Sequence, residues 1–306
     1  MSVSTIVLLY ENREVQTIPL KGRFRGIAWD PKGEFATLVG DNGTMLKVFT
    51  DRTVRELDSG VTSNLRSVSA NPNDGALLIA GNSGTVLYLG ERKMSIQVPT
   101  FENLRAVSWN AQGSIALIGG NSGTLLKYAD SSARSLGNQR ANLRRIAWHP
   151  RDDRALITSN CFADEFLPSA NLFLYDSDKD QVQEANKSQA DLIGVDWQQN
   201  GECAVVVGYD IVWHTGIIAT FNGTELTPFE FENKQIYPVA VAVGESVAVC
   251  TAVTQPGIGT GSVRLLENEK LRTIYESDQY YFSTLAWNNH GSLMALGSPA
   301  NRTFNC

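Results

Sequence analysis

The sequence predicts an all-β protein, a seven-bladed β-propeller whose ring is closed by its amino-terminal strands. Three observations predict it. First, one phrase, clearest as Leu104-Arg-Ala-Val-Ser-Trp109, recurs from Phe24, Leu65, Leu104, Leu143, Leu192, Tyr237 and Phe282, at steps of 41, 39, 39, 49, 45 and 45 residues. A step near 40 with strand-like content is the length of a four-stranded blade. Second, no stretch shows the 3.6-residue periodicity that helical repeats of similar length require. Third, the last copy stops after two strands, whereas the residues ahead of the first copy read as a third and fourth strand with nothing before them.

The elements follow in order. Residues 5–10 and 14–18, joined by Glu11-Asn-Arg13, are the two strands that complete the last copy, so residues 1–23 belong to that blade. Such a join removes the open edges of a linear array. The full unit is plainest in the third copy. A first strand, 104–109, is followed by the polar turn Asn110-Ala-Gln-Gly113 and a second apolar strand, 115–119. The turn Gly120-Asn-Ser-Gly123 leads to a third strand, 124–128, and a weaker fourth near 133–136. Asn and Gly supply the positive φ that such a hairpin turn demands. The first strands are apolar on both sides, as suits blades packed on each face. The ring uses residues 1–306 as one domain. Thr303-Phe-Asn-Cys306 resembles the start of a further third strand and has no assigned place.

Bulk properties narrow the function classes. No apolar run is long enough to span a bilayer, and residues 6–10 are too short for a signal-peptide core, so the expected compartment is the cytoplasm, without membrane insertion. Cys161, Cys203, Cys250 and Cys306 form no C-x-x-C pair and read as four free thiols. Net charge is −6, but residues 1–154 carry +5 and residues 155–306 carry −11. That dipole can steer a partner; uneven surface solvation accounts for it equally well. No basic stripe with interleaved aromatics appears, which argues against nucleic acid.

The layout Leu-Arg-x-Val-x-Trp, polar turn, Ala-Leu-Ile-x-Gly, Asn-x-Gly-Thr-x-Leu-Lys-Tyr resembles WD-repeat-like propellers, and most of all the branch with photosystem II assembly-factor-like repeats. The likeness covers the chain but is architectural. The Trp-Asp pair is missing, since third strands end Val48-Phe49, Leu89-Gly90 or Tyr128-Ala129. The Asp-box of sialidase-type propellers is missing too, so that activity is not implied. The resemblance implies a repeat platform, and a fold of this kind does not by itself set function.

Departures from the repeat point to function. The second-to-third turn is short in blades one to three: Gly40-Asp-Asn-Gly43, Gly81-Asn-Ser-Gly84 and Gly120-Asn-Ser-Gly123. It grows in blades four, five and six, over 159–170, 208–216 and 254–262. Equivalent turns leave every blade on one side of the disc, and per-repeat insertions on one face often form the binding face. These gather Phe162, Phe166, Tyr209, Trp213 and His214 beside Asp164, Glu165 and Asp210. Trp29, Trp109, Trp148, Trp197 and Trp287 end first strands and read as core; Trp213 alone lies outside the repeat and is a candidate contact anchor. The competing reading is that the insertions only prolong hairpins.

The second departure is Arg25, Arg66, Arg105 and Arg144, which hold the second position of the first strand in four successive blades. The equivalents elsewhere are read as Ile193, Pro238 and Ser283. First strands line the channel, so the four form a possible half-ring of guanidinium groups for carboxylates or phosphates. The structural alternative, which the sequence favours, has each Arg bonding carbonyls of adjoining loops, as Asn64, Asn103 and Asn142 recur just before them.

No catalytic site is expected. His149 and His290 fall in first-to-second-strand turns and His214 on the other face; no His-x-x-x-His or paired-cysteine spacing occurs, and no nucleophile elbow or P-loop. Gly257-Ile-Gly-Thr-Gly261 reads as a flexible loop. No metal or cofactor is expected. The leading expectation is a non-catalytic interaction or assembly scaffold that presents the looped face of blades four to six to a protein or peptide. The alternative is a small-ligand, carbohydrate-binding or lyase-type propeller with its site at the channel mouth.

Overall fold

The computed structural model describes residues 3–10, 14–160, 169–231, 235–255, 258–267 and 270–299. Strands gather into seven four-stranded antiparallel sheets, one per blade. Six blades are built from consecutive strands. The seventh takes its inner strands, Tyr280–Trp287 and Leu293–Pro299, from the end of the chain and its outer strands, Val3–Leu9 and Val15–Lys21, from the beginning. The join is antiparallel, with Ile6 opposite Leu296 and Leu8 opposite Met294. The predicted closure is therefore present.

First strands touch their successors right round the hub, and Tyr280–Trp287 meets Phe24–Trp29 to complete the circle. Second strands such as Leu77–Gly81 and Ala116–Gly120 are buried at every residue, whereas the outer strand Val54–Leu57 is mostly exposed. The core consists of apolar clusters between adjacent blades. One joins Ile6, Leu8, Met294 and Leu296 of blade seven to Phe24, Leu38 and Leu46 of blade one. Burial of apolar surface between sheets is the main favourable term holding such a ring.

Polar stitches add register. Trp29, Trp148, Trp197 and Trp287 each donate Nε1–H to a carbonyl of the preceding blade's first strand: Ala286, Ser108, Ala147 and Ala242 respectively, at 2.9–3.2 Å. On the face of the second-to-third turns, the side-chain oxygens of Asn64, Asn103 and Asn142 accept the backbone N–H of Asn42, Ser83 and Ser122 in the blade before. Those three turn residues have φ of 55°, 54° and 52°, and a glycine with positive φ follows each. At Gly84 (φ 68°) a Cβ would stand 2.2 Å from the Thr100 carbonyl, so no side chain fits. On the opposite face His149 Nε2 donates to Gly201 O (2.9 Å). Its Nδ1 lies 3.2 and 3.0 Å from the backbone nitrogens of Arg151 and Asp152 and 3.0 Å from the Asp152 carboxylate.

One open alternative is decided for two blades, and two details differ from expectation. The insertions of blades five and six prolong hairpins: Tyr209 pairs with Gly216 and Asp210 with Thr215, and Val253 pairs with Thr260. Ile258, Gly259, Thr260 and Gly261, expected as flexible loop, lie in the strand Ile258–Glu267; backbone pairing with Val247–Gln255 outweighs the low strand preference of glycine. Blade six begins its repeat one residue late, as shown below. The blade-four insertion, with Phe162, Asp164, Glu165 and Phe166, lies outside the described residues, as do Cys161 and Thr303 to Cys306. Cys203 and Cys250 are free thiols. Among the described residues, no helix is long and apolar enough to cross a membrane.

Candidate functional site

The site is the channel mouth on the face of the second-to-third turns. Its geometry starts from a backbone irregularity. Each first strand carries a register shift at its second position, where two residues oppose one on the second strand. The displaced residues are Arg25, Arg66, Arg105, Arg144, Ile193, Val239 and Ser283. A β-bulge bends its strand and re-aims the extra side chain. In blade six, Pro238 pairs with Thr251 and the bulge falls on Val239. The position matched to the arginines is therefore Val239, not Pro238. Apolar residues run through 236–243 without alternation, so the pattern alone does not fix the register.

Each arginine reaches a residue sixteen positions on, at the end of its own second strand or in the turn that follows. Arg25 makes a two-point contact with Asp41, at 2.5 and 3.0 Å. Arg66 Nε donates to Asn82 Oδ1 at 2.8 Å, and Arg105 and Arg144 bond Asn121 and Asn160 in the same way. The carbonyls of adjoining loops, which the structural alternative expects as partners, are not the acceptors. The arginines brace their own turns through side-chain oxygens, while the asparagines tie adjoining blades. Bracing uses Nε at Arg66, Arg105 and Arg144. Among the described residues, Arg25 is the one of the four that bonds a carboxylate.

The electrostatics follow. Burial, and after it Arg144, Arg66 and Arg25, bring the Arg105 guanidinium down to about 10, with no carboxylate opposing them among the described residues. Arg66 is lowered by burial and by Arg25, against Asp41. Arg144 is lowered by burial, against Asp191 and the hydroxyls of Tyr209 and Tyr281. Among the described residues these neighbouring cations have two opposing carboxylates, Asp41 and Asp191, and guanidinium groups of this kind suit an anion.

Sequence reading missed Arg145. Its Nη1 donates to Arg144 O at 3.3 Å and its Nη2 to Ser283 O at 3.1 Å, which spans the hub from blade four to blade seven. The signal was available: blades one to three carry Gly26, Ser67 and Ala106 at this position, and blade four carries a long cation. Arg145 adds a fifth guanidinium and lies across the axis.

The rim on the other side is aromatic and acidic. Asp191, buried, accepts the Tyr209 hydroxyl at 2.8 Å. Tyr209 packs edge-on against Tyr237 (5.8 Å between centroids), and Tyr237 Oη donates to His214 O at 3.3 Å. At the hairpin tip, Asp210 Oδ1 accepts the N–H of Val212 and Trp213 at 2.8 and 2.9 Å, and His214 has φ 51°. This turn holds Trp213 out at 78 % exposure. Phe101, 93 % exposed, lies in the segment that enters blade three. The N–H of Gly84, in a second-to-third turn, bonds Glu102 O, so Phe101 is on the same face. Sequence reading did not single out Phe101, although its place in a polar connection was the available signal. Of the predicted site residues, Tyr209, Asp210, Trp213 and His214 come together on blade five, and the four arginines gather at the mouth on the same face. His149 and His290 stay on the opposite face, bonded to the carbonyls of Gly201 and Lys32.

The fold has a solved counterpart. Kuenenia stuttgartiensis hydrazine synthase superposes with a TM-score of 0.70 at 12 % identity, over 89 % of this chain and 91 % of that one. At that identity the likeness is one of fold. No protein-family model and no curated protein matches the sequence.

Proposed function

We propose that the protein is a non-catalytic binding platform that receives a protein or peptide partner on the channel-mouth face. The observation that carries this reading is the sharing of one face by Phe101, Trp213 and the arginines of the mouth. Exposed aromatics of this size are the usual anchors of protein contacts, and guanidinium groups whose outer nitrogens are open suit a carboxylate or phosphate of the partner. The resemblance to WD-repeat-like and assembly-factor-like propellers points the same way. Catalysis needs convergent acid, base or nucleophile groups, and the described residues of this face offer a fixed cation set instead.

The test is affinity capture with wild type, Trp213→Ala, Phe101→Ala and the double variant Arg66→Gln/Arg105→Gln. A partner retained by wild type and lost by an aromatic and by the arginine variant supports the platform. An unchanged set of partners across all variants refutes it. A second reading, a small anionic ligand at the mouth alone, rests on the lack of a carboxylate near Arg105. It predicts anion binding that depends on the arginines and is indifferent to Trp213 and Phe101.

A further inference from the structure

A different cleft opens on the opposite face, between blades two and three. Its volume is about 720 Å³, within the range of small-ligand pockets. Tyr88, Trp109 and Tyr128 line it together with Asp74, Glu91, Asp130 and Arg92. The rings of Tyr88 and Tyr128 lie 6.3 Å apart and nearly parallel, and Trp109 meets Tyr128 edge-on at 5.5 Å. Three carboxylates against one guanidinium make the lining acidic.

The neighbouring cleft shows what such a lining takes. Between blades three and four, Lys127 places its ammonium 5.9 Å from the centre of the Tyr175 ring and 3.1 Å from Asp180. Tyr175 donates to the same carboxylate at 2.7 Å, and Arg134 also bonds it. Burial pushes the Asp180 carboxyl up, but these hydrogen bonds outweigh it and hold the group at about 2. Tyr128 holds the same rung in blade three as Tyr175 in blade four, opposite Ala116 and Ala155. The rung of Lys127, opposite Leu117, is held in blade two by Tyr88, opposite Leu78; in blade one it is Lys47. Blade two therefore offers an aromatic ring where its neighbours carry the cation, and a cavity stands beside it.

Trp109 adds a second mark. Four of its counterparts donate Nε1–H to the preceding blade, whereas Trp109 Nε1 is buried and has no acceptor among the described residues. A buried donor without a partner is costly, and this one belongs to a residue lining the cleft.

We propose that this cleft binds an organic ammonium ion, whose positive head lies against Tyr88, the ring that stands where the next blade carries Lys127. The aromatic rings of the lining favour an alkylated head over a hydrated metal ion. The proposal is independent of the platform reading, which concerns the other face.

Titration calorimetry of the full chain tests it, with choline, with a peptide bearing trimethyl-lysine, and with 3,3-dimethyl-1-butanol as the uncharged isostere of choline. At least one ammonium probe is expected to saturate, with the isostere about tenfold weaker or more, as a desolvated cation–aromatic contact implies. Stronger binding of the peptide would assign the ammonium to a protein side chain, and stronger binding of choline to a free metabolite. Tyr88→Lys restores the cation carried by blades one and three, and is expected to abolish binding without lowering the melting temperature. Glu91→Lys, on an exposed turn, is expected to weaken binding severalfold and guards against misfolding of the first variant. No saturation by either ammonium probe up to about 10 mM, equal binding of the isostere, or binding unchanged in both variants would overturn the proposal.

Discussion

The arginine at each bulge has two ends with different tasks. Nε fixes a turn, and the outer nitrogens of Arg66 and Arg105 are left for another acceptor. The double variant Arg66→Gln/Arg105→Gln is therefore expected to melt close to wild type, since the loss of two turn braces is offset by the removal of two cations that repel each other and their neighbours. Inorganic phosphate is expected to raise the melting temperature of wild type and leave the variant's unchanged. Saturating anion, at a hundred times its dissociation constant, corresponds to about 2.7 kcal/mol of stabilisation. Differential scanning fluorimetry with and without phosphate decides it, and a large loss of stability in the variant would return the arginines to a structural role.

Asp196 offers a second test at this scale. Its carboxylate accepts Trp197 N–H and, from blade six, Val243 N–H at 2.8 Å. Burial nevertheless raises it to about 6, above its ordinary value of 3.8. The folded state thus holds a proton that the unfolded state has already released. Stability from this group is present below the unfolded value and is lost as pH rises through about 6. Melting curves of wild type and Asp196→Asn should therefore diverge between these limits, wild type losing ground as pH rises; parallel curves would refute the assignment. Such residue-scale facts were partly legible. The arginine positions stand out in a single sequence, but a bulge does not, because two residues facing one leaves no mark on the order of residues. The bond from Arg145 to Ser283 spans 138 positions and follows from ring closure alone.

At the scale of the element, the long hairpin of blade five combines a rigid stem and an exposed tip. Trp213→Ala is expected to change stability by no more than about 0.5 kcal/mol, because the ring stands in solvent, while any contact it anchors would be lost. Asn142 is the contrasting case. It caps the Ser122 turn of the neighbouring blade, and Asn142→Ala is expected to cost about 1 kcal/mol in denaturant unfolding. Sequence reading found the longer insertions and their shared side. It left open whether they prolong hairpins, and blades five and six do spend theirs on extra rungs of sheet. Gly259 and Gly261 suggested a loop, and only the pairing partner Val247–Gln255 shows otherwise.

At the scale of the molecule, the ring depends on one non-consecutive strand pair. Ile6 and Leu8, fully buried, lie on the strand that joins Leu293–Pro299. Ile6→Ala is expected to destabilise by about 2–5 kcal/mol, with the whole disc responding, since an unpaired edge exposes a strand to aggregation. Equilibrium unfolding followed by fluorescence and by circular dichroism would check it; a change confined to a small fraction of the signal would contradict it. This closure was the most legible feature of all. When a chain of repeats carries half a copy at each end, the two halves make one whole blade, and counting copies needs no side-chain geometry.

The asparagine ties have a further consequence. Among the described residues they run from blade to blade through the first four blades, holding the N–H of Asn42, Ser83 and Ser122. Those three amides should exchange with heavy water far more slowly than surface turns usually do. Val212 and Trp213, whose N–H groups bond within their own tip, should exchange quickly. The rim of the first three blades would then present a stiff, preset outline to anything arriving, while the blade-five tip can still adjust its shape during contact.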